Sequence, residues 1–122
     1  MKIQKFEDMK VWQDAREFVK QIYKCTANQK FKKDFGLRDQ IQRGVVSIMS
    51  NIAEGYERDS NKELIRFLQF SKGSAGEVRS LLYVATDLGY LTEKEFSEFH
   101  QTSISIITQI SNFIKYLKQR AK

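Results

Sequence analysis

The side chains able to do chemistry in this sequence are few, and their spacing argues against it. His100 and Cys25 are the single histidine and the single cysteine of the chain. Metal catalysis inside a helical bundle uses carboxylates and histidines, typically Glu-x-x-His twice. The residue three before His100 is Ser97, and Glu98 stands two before it, on another face of a helix. One imidazole also excludes any centre built from several. Cys25 as a nucleophile needs a base within reach, and no local signature pairs it with His100. Two carboxylates, Glu54 and Glu77, fall among small or apolar neighbours. Acid/base work requires them to converge in one cleft. The alternative is a structural polar network, and Glu54 has Arg58 one turn later in the favourable order for a helical ion pair. The expectation is a protein that is not an enzyme and that holds no cofactor and no metal.

Basic charge is the positive finding. The 122 residues carry 21 Lys+Arg against 15 Asp+Glu, a formal net charge of +6. The excess lies at the two ends of the chain: residues 1–30 hold seven basic and four acidic side chains, and residues 92–122 hold five and three. Arg16, Lys20 and Lys24 follow one another at i+4 and line one ridge of a helix, while Lys115, Lys118, Arg120 and Lys122 form a basic tail. Such ridges suit phosphate contacts, which give salt-dependent affinity without reading base sequence. The alternative is a solvated face that serves solubility alone.

The elements that position these groups are helices. The chain has no proline, and proline is what breaks helix interiors. Apolar periodicity predicts four helices, over about 8–27, 35–57, 61–88 and 93–119, in one domain covering 1–122. The first starts with Asp8 as N-cap and uses Val11, Trp12, Ala15, Val19, Ile22 and Tyr23; residues 28–34 then lose the period and read as a loop. Leu37, Ile41, Val45, Ile48, Ile52 and Tyr56 make the stripe of the second. Ser60 with Glu63, and Thr92 with Glu95, are capping boxes that open the third and fourth. Leu64, Phe67, Leu68, Ala75, Val78, Leu82 and Ala85 make the third stripe, which Gly89 closes. The fourth uses Phe96, Phe99, Ser103, Ile106, Ile110, Phe113 and Leu117.

Two features of these helices point outward. A second apolar row on the fourth helix, Ile104, Ile107 and Ile114, exceeds what an isolated four-helix bundle needs, so an oligomer is expected; the alternative is a helix placed centrally in its own bundle. Gly44 and the run Gly73-Ser74-Ala75-Gly76 fall where the period says helix, at about 1 kcal/mol per glycine relative to Ala. Close helix approach is the expected reason, a local kink the alternative. No apolar run approaches a membrane span, and the charges at Lys2, Lys5, Glu7 and Asp8 interrupt any secretory signal. A reducing cytoplasm and no membrane partner are expected.

The segments Phe6-Glu7-Asp8-Met9-Lys10-Val11-Trp12-Gln13, Phe35-Gly36-Leu37 and Asn51-Ile52-Ala53-Glu54-Gly55, with Gly73-Ser74, Glu77 and Leu88-Gly89-Tyr90-Leu91 in register, resemble the four-helix-bundle proteins encoded in 23S rRNA intervening sequences. The resemblance implies an all-α, antiparallel up-down four-helix bundle assembling into a cyclic homopentamer. It also implies kinship with the accessory variability proteins of diversity-generating retroelements, which associate with a reverse transcriptase and bind nucleic acid through positive charge. This chain departs from the family in having Phe31-Lys32 where Phe-Pro is common, and Gln42-Arg43 where two arginines are common. On the second helix, Arg43, Ser47, Asn51, Glu54 and Arg58 step by three or four on one polar strip, suited to hydrogen-bonded register against a neighbouring helix or subunit. The function expected is an oligomeric bundle that binds RNA or DNA weakly and without sequence preference, as an adaptor for a reverse transcriptase or another nucleic-acid enzyme. The alternative is a protein-interaction scaffold with no nucleic-acid role.

Overall fold

A computed structural model describes residues 4–120, and among them the chain is helical, with no strand. The four long helices are α1 (Lys10–Cys25), α2 (Phe35–Glu57), α3 (Asn61–Asp87) and α4 (Glu93–Arg120). One core joins them. Phe18, Ile22, Ile41, Ile48, Ile52, Leu68, Leu82, Ile106 and Ile110 are fully buried in it.

The helix starts follow local chemistry. At α4 the capping box closes both ways: Glu95 N donates to Thr92 Oγ1 at 3.1 Å and Thr92 N to Glu95 Oε1 at 2.9 Å. At α3, Ser60 Oγ accepts from Glu63 N at 3.3 Å. Asp34 caps α2 by accepting from Leu37 N at 3.1 Å. Gly89 ends α3 at φ +78°, and Tyr90 N reaches back to the Ala85 carbonyl at 2.9 Å, the left-handed closure that glycine permits.

The first helix differs from its predicted form. Asp8 does not cap it; it lies in a 3₁₀ turn, Phe6–Asp8, and Met9 stands in the cap position with no side-chain bond. The apolar stripe of α1 runs through Phe18, with Val19 only half-buried and Tyr23 exposed. The steps Val11, Ala15, Phe18, Ile22, Cys25 keep one face inward, whereas Tyr23 rotates away from it. Thr26 ends the helix, donating its hydroxyl to the Tyr23 carbonyl at 3.1 Å.

The segment between α1 and α2 is a stitched corner. Phe31 is fully buried, with its ring centroid 5.2 Å from that of Tyr90. Asn28 accepts from Phe31 N at 2.8 Å and donates to the Tyr90 carbonyl at 3.1 Å. Tyr90 OH donates to Asp34 at 2.9 Å, and that bond raises the phenol's pKa.

Two sequence inferences about packing change. The second isoleucine row of α4 is absorbed by its own fold: Ile114 is buried, Ile107 packs against the core and Ile104 is half-buried. It therefore leaves no wide apolar patch to call for an oligomer. Close approach explains Gly44, where an added Cβ would lie 3.0 Å from Val78 Cγ2, and also Gly55, where it would lie 2.6 Å from Phe67 Cβ. It does not explain Gly73 or Gly76 within the subunit, because nothing lies within 4 Å of a Cβ at either.

Candidate nucleic-acid interface

The structure spreads the predicted basic residues over separate surfaces. Arg16 is exposed on α1, its guanidinium carbon 5.8 Å from the centroid of Trp12. Lys20 is exposed, 3.8 Å from Glu17. Lys24 turns toward a cleft between α1 and α4 whose lining includes Glu95 and Glu98. The ridge is therefore interleaved with carboxylates, which shortens the stretch of uninterrupted positive field. At the far end of α4, Lys115 and Lys118 flank Ile114 around a shallow depression of about 350 Å³, and Arg120 stacks at 5.3 Å over Tyr116. Lys2 and Lys122 lie outside the described residues.

A basic and aromatic cluster that the sequence reading missed sits at the α2–α3 turn. Arg58 lies 4.9 Å over the ring of Phe67, and Arg66 lies 5.0 Å over Phe67 and 5.2 Å over Phe70. The two rings meet edge to face at 5.5 Å. Arg66 also grips Glu63 at 3.2 Å, and Arg58 is 3.4 Å from Glu54 and 3.8 Å from Glu63. Phe67 is buried beneath the two guanidinium groups and Phe70 is half exposed, so the cluster presents planar cations and one ring to solvent, the kind of surface on which nucleic-acid bases stack. Arg66 and Phe70 at i, i+4 carry the signal in the sequence, while Phe67, in the apolar stripe of the third helix, is buried as that stripe predicts.

The polar strip of α2 divides. Its middle faces α3: Ser47 Oγ is 2.9 Å from Ser74 Oγ, and Asn51 Nδ2 donates to both the carbonyl and the hydroxyl of Ser47 at 2.9 Å. Its ends, Arg43, Glu54 and Arg58, are exposed. Glu77 accepts from Gln40 at 3.2 Å and lies beside Gly44. Glu54 is ten residues further along α2, about 15 Å away at helical rise, so the two carboxylates do not share a cleft.

The remaining candidates for chemistry are occupied structurally. Burial, reinforced by the charge of Glu95, pushes the Cys25 thiol up to about 12, far from the thiolate a nucleophile needs. His100 belongs to an aromatic cluster, with its ring centroid 5.3 Å from Phe96 and 5.8 Å from Tyr83, and Nε2 3.4 Å from the Tyr83 hydroxyl. An open cleft of about 630 Å³ between α1 and α4 is lined in part by Asp14, Glu17 and Glu98. Burial raises Asp14, but hydrogen bonds from Lys10 and Gln109 outweigh it and hold the carboxyl below its ordinary range. Among the described residues no group of three or more His, Cys, Asp or Glu side chains converges to hold a metal, and no helix is long and apolar enough to cross a membrane.

The family model described as 23S rRNA-intervening sequence protein matches residues 7–112. The chain belongs to that family. Its fold is similar to the crystal structure of a protein of unknown function from the S23 ribosomal protein family of Bacteroides thetaiotaomicron, with a TM-score of 0.79 and 27% sequence identity over 86% of this chain and 98% of that one. No curated protein matches the chain. Within the family's helical fold, the quoted Asn51-Ile52-Ala53-Glu54-Gly55 segment acquires a physical meaning. Gly55 admits Phe67, Ile52 fills the core, and Asn51 ties its own helix to the Ser47–Ser74 pair.

Proposed function

We propose that this member of the 23S rRNA-intervening sequence family is a non-enzymatic bundle protein that binds RNA or DNA weakly and without sequence preference, as an adaptor for nucleic-acid-handling machinery. The observation that carries the reading is the pairing of a +6 chain with exposed arginines stacked on aromatic rings, at Arg58 and Arg66 over Phe67 and Phe70 and at Arg120 over Tyr116. Cations of this kind contact phosphate, and the exposed rings of Phe70 and Tyr116 accept bases, with no requirement for a base code.

The finer features belong to the same proposal. The helices run up and down in alternation, the protein works in the cytoplasm, and its subunits close into a ring, with five copies implied by the family resemblance. A five-copy ring would carry about +30, a field strong enough to gather a polyanion. Kinship with the retroelement accessory proteins makes a reverse transcriptase the first partner to try. Carboxylates interleaved with the α1 ridge favour a second reading, a protein scaffold whose charge serves solubility.

Fluorescence titration against structured RNA and duplex DNA at several salt concentrations separates the two. The expected result is measurable binding at low salt that weakens steeply as salt rises, and weakens further in a variant carrying Arg58→Glu and Arg66→Glu. No binding at low salt, or binding with no salt slope, overturns the nucleic-acid reading and leaves the scaffold. Light scattering after size exclusion tests the ring, because a monomeric mass at micromolar concentration excludes it.

A further inference from the structure

The corner where α1 passes into α2 carries positive charge that a count over the whole second helix hides. Residues 31–59 hold five basic and five acidic side chains, yet Lys32, Lys33 and Arg38 lie together at the start of that stretch, next to Lys30. With Asp34 and Asp39 counted against them, residues 30–39 keep a net +2. Among the described residues Lys30, Lys32 and Lys33 form no ion pair. An open pocket of about 500 Å³ sits at this corner, lined by Tyr23, Thr26, Ala27, Lys32, Arg38 and Gln42. The clefts between α1 and α4 have carboxylates in their walls, whereas the lining of this pocket holds two cations and no carboxylate.

The groups around this pocket are held in place with bonding capacity left over. Arg38 Nη1 donates to the Lys32 carbonyl at 3.1 Å, Nε donates to Asp39 Oδ1 at 3.0 Å, and the guanidinium carbon lies 4.9 Å from the centroid of Phe35. An arginine forks five N–H groups, so these bonds aim the side chain and leave donors for an anion. Gln42 gives one amide N–H to Thr26 Oγ1 at 3.0 Å and keeps the other, together with its carbonyl oxygen. Tyr23 is 45% exposed, and its hydroxyl has no partner among the described residues. The backbone below is fixed, because Phe31 and Asn28 tie the corner to Tyr90.

We propose that this pocket takes an unpaired nucleoside phosphate, with its base against Tyr23 and its phosphate on Lys32 and Arg38. The inference rests on the nucleic-acid reading above and narrows it to single strands, because a base inside a duplex is stacked on both faces and has none to offer a protein ring. Inorganic phosphate would use the cations alone. The half-exposed ring, and an amide that presents one donor beside one acceptor, fit a base and its edge. The volume falls in the range of small-ligand sites. A free nucleotide presents the same chemistry as one unit of a strand, and experiment separates the two sources.

The test compares binding of an unstructured oligoadenylate RNA with that of an RNA duplex of the same length at low salt, for the unaltered chain and for Tyr23→Ala and Tyr23→Phe. The single strand is expected to bind more tightly. Tyr23→Ala should weaken it about tenfold, the scale of one lost base stack, while Tyr23→Phe keeps it and neither variant changes duplex affinity. Both variants alter a half-exposed side chain, and their helical circular dichroism checks that the fold is kept. Lys32→Ala should weaken single-strand binding and lower its salt slope by about one. Adenosine monophosphate, followed through the amide signals of Thr26, Lys32 and Gln42, reads the pocket without a strand. Equal affinity of Tyr23→Ala and the unaltered chain for oligoadenylate, or no preference for the single strand, overturns the pocket and leaves the nucleic-acid reading standing if duplex binding falls with salt. If neither RNA binds, that reading fails and the monophosphate decides the pocket alone. Amide shifts that Tyr23→Ala abolishes then uphold it with a free nucleotide as ligand, and no shifts overturn it.

Discussion

The two faces of α3 use small residues in opposite ways. Toward α2, Phe67 fills the space left by Gly55, Val78 that left by Gly44, and the buried Ser71 hydroxyl donates to the Ile48 carbonyl at 2.7 Å. Toward solvent, Gly73 and Gly76 have nothing within 4 Å of a Cβ placed on them, and Ser80 is exposed. A glycine inside a helix carries the same propensity cost on either face. At Gly44 and Gly55 of α2 that cost is offset by close packing against α3, and at Gly73 and Gly76 no contact within the subunit offsets it. Helix-interior glycine in the sequence therefore does not by itself mark a close contact, and the fold decides where one exists.

Substitutions can break this contrast. Gly55→Val has the largest expected effect, because its Cβ alone would lie 2.6 Å from Phe67 Cβ; forcing α2 and α3 apart should cost about 2 kcal/mol in a urea melt. Next, Ser71→Ala removes a buried donor and leaves the Ile48 carbonyl short of a partner, which should cost about 1 kcal/mol. Smallest is Gly76→Val, which places its branched side chain in open space. It should change folding free energy by no more than about 0.5 kcal/mol. Equal losses from Gly55→Val and Gly76→Val would erase the distinction between the faces.

Helix number and most helix ends were legible because their causes are local. The capping boxes at Ser60 and Thr92 and the closure at Gly89 depend on a few consecutive residues, and the structure forms their bonds. The start of α1 was misread because Asp8 is a good cap in isolation. The turn Phe6–Asp8 instead brings Phe6 edge-on to Trp12 at 5.2 Å, with Gln13 donating to the Glu7 carbonyl at 2.8 Å. Residues 28–34 were illegible for the same kind of reason. Phe31 is buried against Tyr90, which lies nearly sixty residues away. The candidate site was legible as charge and illegible as geometry. Counting found Arg16, Lys20, Lys24, Lys115, Lys118 and Arg120, but the carboxylates facing Lys24 come from α4, and the stack at Arg58 needs a ring from α3.

By itself the sequence determined that the described chain is helical, where three of its helices begin, that it carries excess positive charge, and that it holds a single histidine and a single cysteine. These follow from backbone propensity, short-range capping and counting. The tertiary structure alone decided which apolar rows are spent inside the subunit, which arginines lie on rings, and which glycines remain without a neighbour. Those outcomes depend on helices distant in sequence, and periodicity along one helix gives the direction of a face without saying what it meets.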